Sequence, residues 1–354
     1  MTTLGTIRGK EWWRPEAYAR AMPFLQKRMK IVSAIRHFFI EQDFLEVETP
    51  ALQVSPGMEP HMCAFKTDLF EPFEGQGRAL YLHTSPEFSM KKLLVAGLPR
   101  IFQISHVYRN KERSPLHHPE FSMLEWYRTG ETYTAMMEDS LSIIRLALTA
   151  AGETMFRRGD VTCDPFREVE FISVAEAFHH YAGVDLLATM PDPLRPDRDA
   201  LARAAEGAGI RCGDRDSWED IYFRIMLEKI EPFLGMRQPT ILRDYPISMA
   251  VLSRPKPDDE RLAERFELYV CGVELCNAFS ELTDPSVQRR RFEQDMALKE
   301  FLYGERYPVD EDFLDALAWG MPESAGNALG IDRLVMLATG AEMIDDVLWA
   351  PVSQ

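Results

Sequence analysis

The sequence has no long apolar run and few cysteines, and each shortage excludes a class of protein. Its longest apolar stretches, such as LLVAG at 93–97, are far too short to span a bilayer, so we expect no membrane segment. The first residues, MTTLGTIRGKEWWRPE, contain neither an apolar core nor a small-residue cleavage site, which argues against secretion. The five cysteines form no CxxC pair and no zinc spacing, and their odd number argues against a full disulfide framework. A reducing cytoplasm is the expected location.

Basic charge is also scarce in this chain. It has 40 basic residues against 56 acidic ones, which gives a formal net charge of −16. Such a field repels a polyphosphate backbone, so broad nucleic-acid binding is disfavoured. The densest basic run, Arg289–Arg291, falls on a predicted helix, where we interpret it as a solvated face. The sequence contains no low-complexity segment and no repeat period.

Strand patterns occur in two separate stretches, with helical patterns around them. Helical periodicity covers 24–42, 136–152 and 286–303, and residues 173–231 are predicted to be mainly helical. A Pro/Asp-rich break at 189–199 is interpreted as a loop inside an inserted helical region. No regular βα alternation is present, so the sequence predicts an antiparallel α+β core. The apolar stripe of the first helix is predicted to consist of Leu25, Met29, Val32, Ile35 and Phe39.

The stretch RNKERSPLHHPEFSMLEWY, residues 109–127, predicts a hairpin with a highly charged turn. Side chains alternate along a strand, so Phe121, Met123, Glu125 and Tyr127 share one face of the return strand. An aromatic ring, a thioether, a carboxylate and a phenol make a poor dry core. By itself the pattern fits either the floor of a pocket or an exposed edge strand.

Two further segments carry residues that suit a nucleotide and a metal ion. GNALGIDRLVML places Arg333 on a helix that follows Gly330, and arginine forks match triphosphate geometry. Paired carboxylates such as Glu274 and Glu281 are typical ligands of divalent cations. They are seven residues apart, so a regular strand would place them on opposite faces. Either a bulge near Asn277–Ala278 turns both inward, or Glu281 alone faces the site.

The segment SPEFSMKKLLVAG predicts a helix that starts with polar residues. Ser85 is the predicted N-cap, with Pro86 at the first helical position and Glu87 in the first turn. An acid in that turn interacts favourably with the helix dipole, so Glu87 alone is explained as a cap. Glu125 differs, because it interrupts an apolar strand face and therefore needs a partner, for which a ligand ammonium is one candidate.

Six segments together resemble one protein family. FLEVETPAL, YRNKERSPLHHPEFSMLEWY and GNALGIDRLVML resemble, in order, the three motifs of the class II aminoacyl-tRNA synthetase catalytic domain. TSPEFSMKKLLVAG, DYPISMA and VELCNAFSELTDP resemble segments of the lysyl type. The resemblance implies an antiparallel sheet flanked by helices, and a homodimer formed through the first motif. It also implies an N-terminal extension, 1–24, followed by one catalytic domain, 25–354.

The resemblance implies ATP and Mg²⁺ as cofactors and assigns roles by position. Arg109 and Arg333 are the implied catalytic residues, at the α-phosphate and at the terminal phosphates, and Phe121 would stack on adenine. Glu274 and Glu281 would hold magnesium. The other residues implied to contact the nucleotide are Asn110, Lys111, Glu112, His117, His118, Leu275 and Gly330. Those implied to contact the amino acid are Ser85, Pro86, Glu87, Glu125, Tyr127, Asn277, Glu281 and Ala328.

Two positions depart from the family pattern. The family usually reads Arg-Asn-Glu where this chain reads Arg109-Asn110-Lys111, so an ammonium replaces the carboxylate expected for the adenine amino group. Glu112 can substitute only if the turn begins early and rotates it inward. His118 stands where the family has an asparagine that contacts ATP.

The start of the chain narrows the resemblance further. Lysyl-tRNA synthetases carry an anticodon-binding OB-fold before the first motif, whereas 24 residues precede it here, so we do not expect tRNA as a substrate. The paralogous family with this architecture is that of elongation factor P–(R)-β-lysine ligases, which also have alanine where this chain has Ala328. The implied function is ATP-dependent activation of β-lysine, or lysine, and its attachment to a lysine of elongation factor P. A tRNA-charging enzyme and an inactive regulatory paralogue are the alternatives.

Overall fold

A computed structural model describes residues 11–73, 75–193 and 195–352, and its largest element is an eight-stranded sheet. The strands are β1 (Leu45–Glu46), β2 (Leu52–Gln53), β3 (Phe65–Leu69), β4 (Arg78–Leu82), β5 (Arg100–Tyr108), β6 (Glu120–Thr129), β7 (Phe156–Arg158), β8 (Val161–Cys163), β9 (Glu170–Ser173), β10 (Thr240–Pro246), β11 (Leu262–Val270), β12 (Val273–Ser280) and β13 (Ser324–Gly330). The helices are α1 (Pro15–Ile40), α2 (Glu87–Val95), α3 (Tyr133–Ala151), α4 (Val174–Ala177), α5 (Arg198–Gly207), α6 (Trp218–Ile225), α7 (Pro285–Tyr303), α8 (Glu311–Gly320) and α9 (Ile331–Thr339). Single turns of π-helix or 3₁₀-helix cover Phe178–Ala182, Leu187–Thr189, Met226–Ile230, Glu231–Phe233, Ile247–Met249 and Ile344–Val347.

The strand order of the large sheet is β1-β5-β6-β13-β12-β11-β10-β9. All neighbours pair antiparallel except at the two edges, where β1 runs parallel to β5 and β9 runs parallel to β10. Two smaller sheets, β2-β4-β3 and β7-β8, lie beside it. The predicted α+β fold with an antiparallel sheet flanked by helices is therefore confirmed.

One face of the sheet is covered by α1, α3 and α9 and forms the main core. Leu124 and Trp126 of β6 point into this layer and are fully buried. Their neighbours Phe121, Met123, Glu125 and Tyr127 therefore point to the opposite face, because side chains alternate along a strand. Of the two interpretations of this strand, the pocket floor is the one found.

Helices cover the ends and the far edge of the sheet as well. Residues 174–233 are mainly helical, and Phe178 and Tyr222 from this region share a core with Leu242 and Tyr269 of the sheet. Helices α2, α7 and α8 form a third cluster, which includes a stacked pair of rings from α2 and α8 at 4.7 Å. Among the described residues no helix is long and apolar enough to cross a membrane.

The first helix starts earlier than predicted and buries a different stripe. It begins at Pro15, inside the predicted extension, of which residues 1–10 lie outside the described part of the chain. The placement of a domain boundary at residue 25 stays a prediction. Leu25, Ile35 and Phe39 are buried as expected, but Met29 is 58% exposed. The prediction for Met29 was wrong because the neighbouring Arg28 takes the inward position.

Arg28 is buried because it joins α1 to the start of α9 and to β6. Its guanidinium forms an ion pair with Asp332 and donates to the Ser122 hydroxyl at 2.8 Å. Asp332 also accepts the backbone N–H of Ser122 at 2.8 Å. A single carboxylate thus connects α1 to β6 and α9, the elements that carry the second and third family-like motifs.

We expect Arg28→Met to lower the free energy of unfolding by about 3–5 kcal/mol, because Asp332 would remain buried without its ionic partner. Urea denaturation measures this change. Lys30→Met removes an exposed cation from the same helix and is the matched control, which should stay close to the wild-type stability. Equal unfolding midpoints for Arg28→Met and the control would contradict a stabilising role of the ion pair.

Candidate active site

A cavity of about 530 Å³ lies on the face of the sheet opposite the main core. This volume is in the range of small-molecule sites. Its floor consists of side chains from β6, β13, β12 and β11. Among the described lining residues only His61 and Phe223 are exposed, so the wall reaches the surface at this pair, whose rings contact each other edge to face.

The floor is deepest along β13, where the side chains are small. Gly326 pairs with Tyr127 on one side and with Phe279 on the other. A Cβ at Gly326 would lie under 3.0 Å from the Tyr127 ring and from Oε1 of Glu281. Ala328, the next inward residue of β13, lies between Glu125 and Asn277. Small residues on this strand therefore keep open the space between the larger walls.

Most of the residues implied by the family resemblance line this one cavity. The exceptions are Pro86, Asn110 and Lys111. Pro86 is the N-cap of α2, one residue later than predicted, and Ser85 still accepts the backbone N–H of Glu87 at 3.1 Å. Ser85 therefore caps the helix from the preceding position while its side chain also lines the cavity.

Two arginines lie at the end of the cavity near β6 and α9. The guanidinium of Arg109 lies over the Phe121 ring at 5.2 Å, and its Nε is buried with no hydrogen-bond partner among the described residues. Arg333 donates to the backbone oxygen of Glu274 at 2.9 Å and to Nε2 of His117 at 2.6 Å. An aromatic face and an unused guanidinium donor fit a nucleotide with its phosphates.

His117 is neutral in this arrangement. Its Nε2 accepts from Arg333, and its Nδ1 lies 2.8 Å from the Ser114 hydroxyl. Burial lowers the pKa of the imidazole, and the nearby Arg333 cation lowers it further. His117 therefore holds Arg333 in place by accepting its hydrogen bond at Nε2.

The charged turn after β5 explains how the chain accommodates Lys111 at the position where the family has a glutamate. Strand β5 ends at Tyr108, and Lys111 adopts a left-handed backbone conformation, φ 66°. This early turn leaves Lys111 exposed and outside the cavity, while Glu112 is half-buried in the wall. Asn110 is turned away too, since its backbone N–H donates to Cys63 and its side chain accepts from the N–H of Lys111. The structure thus places Lys111 and Asn110 outside the cavity and Glu112 in the inward position, and nucleotide contacts by these residues stay a prediction.

His118 lines the cavity, but both of its ring nitrogens are occupied by the protein. Its Nε2 accepts the backbone N–H of Val352 at 3.1 Å, and its Nδ1 lies 2.5 Å from the Glu120 carbonyl. The side chain is almost completely buried. We therefore regard His118 as part of the wall, with no free nitrogen for the contact that the family's asparagine makes.

A bulge in β12 turns both Glu274 and Glu281 toward the cavity. The pairing with β11 shifts at Leu275, so the bulge lies two residues before the predicted position at Asn277–Ala278. At ~3.3 Å per strand residue their backbones are roughly 20 Å apart, and magnesium ligation by Glu274 and Glu281 stays a prediction. Among residues 11–73, 75–193 and 195–352 no group of three His, Cys, Asp or Glu side chains is placed to hold a metal ion.

The carboxylate beside Glu274 is that of Glu267, on β11. Burial raises the pKa of Glu274, and the charge of Glu267 raises it further. Glu267 accepts hydrogen bonds from Arg265 at 2.6 Å and from the Tyr269 hydroxyl at 2.8 Å. A divalent cation bound to phosphates would find its protein ligands here, because carboxylates and phosphate oxygens share such an ion. Magnesium ligation by Glu274 stays a prediction.

The other end of the cavity contains three carboxylates. Glu125 accepts from the Ser85 hydroxyl at 2.7 Å and from the Tyr127 hydroxyl at 2.6 Å. Burial raises the pKa of Glu125 to about 7, and the neighbouring Glu87 adds to this shift. Burial also raises the pKa of Glu281 to about 8, against the opposing effect of the Lys91 ammonium. Burial is the main cause of both raised values, because it disfavours the ionised form of each carboxyl group.

Several residues that line the cavity or lie directly behind its wall were not predicted from the sequence. Lys91 forms ion pairs with Glu87 and Glu281, and its position four residues after Glu87 on a helix was the available signal. Glu267 precedes Glu274 by seven residues on the adjoining strand of a hairpin. Tyr222 and Tyr245 also line the cavity, and their hydroxyls have no hydrogen-bond partner among the described residues. Tyr222 comes from the helical region, where helical periodicity alone indicates a core residue.

The opening of the cavity is acidic. Glu59, Glu219 and Asp295 lie in its wall, near the exposed His61 and Phe223. Burial raises the pKa of Asp295 to about 8, and the charges of Glu219 and Glu59 raise it as well. A cationic group approaching the opening would therefore be attracted into the cavity.

Comparisons with known proteins match this geometry. The model of the family of class II tRNA synthetases (D, K and N) matches residues 15–354. A Proteus mirabilis protein named elongation factor P–(R)-β-lysine ligase is 37% identical over 342 residues, which cover 96% of this chain and 97% of the relative. Proteins of the same name from Salmonella paratyphi B and Haemophilus influenzae are 37% and 38% identical, and each match covers 95% of this chain and 96% of the relative. The chain belongs to the class II tRNA synthetase family, as the three sequence motifs predicted.

Proposed function

We propose that this protein is an ATP-dependent ligase that activates (R)-β-lysine as an adenylate and transfers it to a lysine side chain of elongation factor P. The observation that carries the proposal is the carboxylate-rich end of the cavity. Glu87 and Glu281 form ion pairs with Lys91, the one ammonium found beside these carboxylates among the described residues, and Glu125 has no direct cationic partner, so the fully ionised set has a formal charge of −2. A lysine-type substrate carries two ammonium groups, which would neutralise this charge. The names of the relatives support the same activity.

The nucleotide end supplies the chemistry of adenylate formation. The substrate carboxylate attacks the α-phosphorus and pyrophosphate leaves, a step that depends on positioning and charge neutralisation. Arg109 would neutralise the α-phosphate, since its Nε has no protein partner among the described residues, and Arg333 would neutralise the terminal phosphates. Magnesium, when bound, would add charge neutralisation at the phosphates beside Glu274 and Glu267. An acceptor amine in its neutral form would then displace AMP.

The wall around the amino group favours a β-amino acid. Ala328 lies between Glu125 and Asn277, where its methyl group narrows the space beside the substrate backbone. A β-amino acid carries its amine one carbon further from the carboxylate than an α-amino acid does. Ala328 therefore leaves less room for an α-amine than a glycine would, and the same residue distinguishes the ligase family from the synthetases.

The surface supports a protein partner and a second copy of the chain. The acidic opening of the cavity complements a lysine presented by elongation factor P. Leu45 and Leu52 are exposed in the segment FLEVETPAL, which resembles the dimer-forming motif, and this supports a homodimer. A cytoplasmic location stays a prediction.

The test is ATP–pyrophosphate exchange with the two lysine isomers. We expect (R)-β-lysine to stimulate exchange far more than L-α-lysine does. Equal stimulation would count against the β-lysine assignment, and lysylation of bulk tRNA would favour a tRNA-charging enzyme. Absence of any adenylate with either isomer would favour the inactive regulatory paralogue.

Glu112 is expected to determine the preference for ATP over GTP, because it takes the inward position that the family gives to a carboxylate. Glu112→Ala should lower the ratio of kcat/KM for ATP to that for GTP by roughly tenfold, the effect of about one lost charge-assisted hydrogen bond. Lys111→Ala, one residue earlier and outside the cavity, should leave the ratio unchanged. An unaltered ATP preference in Glu112→Ala would rule out this role.

Asp295 is expected to act at the transfer step, because it lies at the acidic opening. Asp295→Asn should leave pyrophosphate exchange near wild-type and slow transfer to elongation factor P by roughly tenfold or more, in the range of a lost proton acceptor. Glu293→Gln, an exposed position on the same helix, is the matched control. A parallel loss of exchange and transfer would assign Asp295 to the structure of the cavity instead.

A further inference from the structure

Lys91 is a buried ammonium that lies behind the amino-acid end of the cavity, paired with two carboxylates of the cavity wall. It is 1% exposed, and its Nζ lies 2.5 Å from Oε2 of Glu281 and forms a second ion pair with Glu87. The Phe279 and Phe313 rings lie 5.3 and 5.9 Å from the same nitrogen. Two carboxylates and two aromatic faces thus fix this cation in one position.

The position of Lys91 leaves a defined set of acceptors for a ligand. Oε1 of Glu281 is buried and has no hydrogen-bond partner among the described residues. Glu125 has a neutral hydroxyl donor on each oxygen, from Ser85 and Tyr127, so its negative charge is not compensated by a direct cation. The slot between Glu87 and Glu281 is already filled by Lys91.

Lys91 cannot itself be the amine that receives the activated acid. Its ammonium is enclosed by the ion pairs, and both Glu281 and Glu87 raise its pKa, so the neutral form needed for attack is strongly disfavoured. Its contribution to the reaction is therefore through charge and position.

We propose that Lys91 is a positioning and specificity-determining residue. Its ammonium fills the slot between Glu87 and Glu281. It thereby directs the two ammonium groups of the substrate to Glu125 and to the free oxygen of Glu281. Without Lys91 a substrate ammonium can enter that slot, and the carboxylate of the substrate is then displaced from Arg109. The same cation sets the charge of the pocket to match a diamino acid. This inference rests on the proposed activation of a lysine isomer.

The experiment compares pyrophosphate exchange in Lys91→Met and in Lys91→Met/Glu87→Gln. Methionine keeps the length and apolar stem of the side chain and removes the charge. We expect kcat/KM for (R)-β-lysine to fall roughly tenfold or more in Lys91→Met, as for other lost partners of buried ion pairs, and the preference over L-α-lysine to fall with it. KM for ATP should stay near wild-type, because Lys91 does not contact the nucleotide end.

The double variant separates positioning from folding. Glu87→Gln removes the carboxylate pair that would attract the substrate into the empty slot, and it returns the formal pocket charge to −2. The double variant should therefore recover part of the isomer preference and of kcat/KM. Lys92→Met, which removes the adjacent lysine paired with Asp310 outside the cavity, is the matched control and should keep the wild-type isomer preference.

Three results would overturn the inference. They are an unchanged isomer preference in folded Lys91→Met, a double variant no better than Lys91→Met, and an equal effect of Lys92→Met. Thermal unfolding and KM for ATP identify a variant that fails to fold. If Lys91→Met fails to fold, the isomer preference of the double variant is compared with that of the wild-type protein. If the wild-type protein shows no exchange with either isomer, the proposed function is wrong. Calorimetric binding of the two isomers to the wild-type protein and to Lys91→Met would still test the positioning role of Lys91.

Discussion

The alternation of side chains across the central sheet is the constraint on which the rest of this structure depends. Leu124 and Trp126 must be dry, so α1, α3 and α9 cover their face, and the residues between them are forced to the other side. There the small side chains of β13 leave a cavity between Glu125 and Asn277. One strand thus supplies both the core of the domain and the floor of its site.

The electrostatics of the cavity follow from placing carboxylates on this enclosed face. Burial disfavours their charged forms, and the pKa of Glu125 is raised to about 7 and that of Glu281 to about 8. Lys91 compensates one of the charges in part, and the remaining charge attracts cations. The opposite end of the cavity is positively charged, since Arg109 and Arg333 present guanidinium groups there. A substrate with ammonium groups at one end and a carboxylate that meets a phosphate at the other matches this polarity.

The sequence was sufficient for the features that depend on local periodicity or on motif resemblance. The face of β6 and the helices predicted at 136–152 and 286–303 were all predictable, because each depends on a few neighbouring residues. The inward position of Glu112 was predicted only on the condition that the turn after β5 begins early. The bulge was predicted near its true place because Glu274 and Glu281 are seven residues apart, but the exact residue depends on pairing with β11.

By itself the sequence determined the family and the alternation of β6, since these follow from motif order and strand period. Only the tertiary structure decided that Lys91 lies between Glu87 and Glu281. It also decided that Glu267, and not Glu281, lies beside Glu274, and that His118 accepts a hydrogen bond from the C-terminal segment. The Lys91–Glu87 pair lies within α2, but the other contacts join residues from different strands, helices or loops. Charge pairing inside a cavity is set by distances across the fold, which spacing along the chain does not encode.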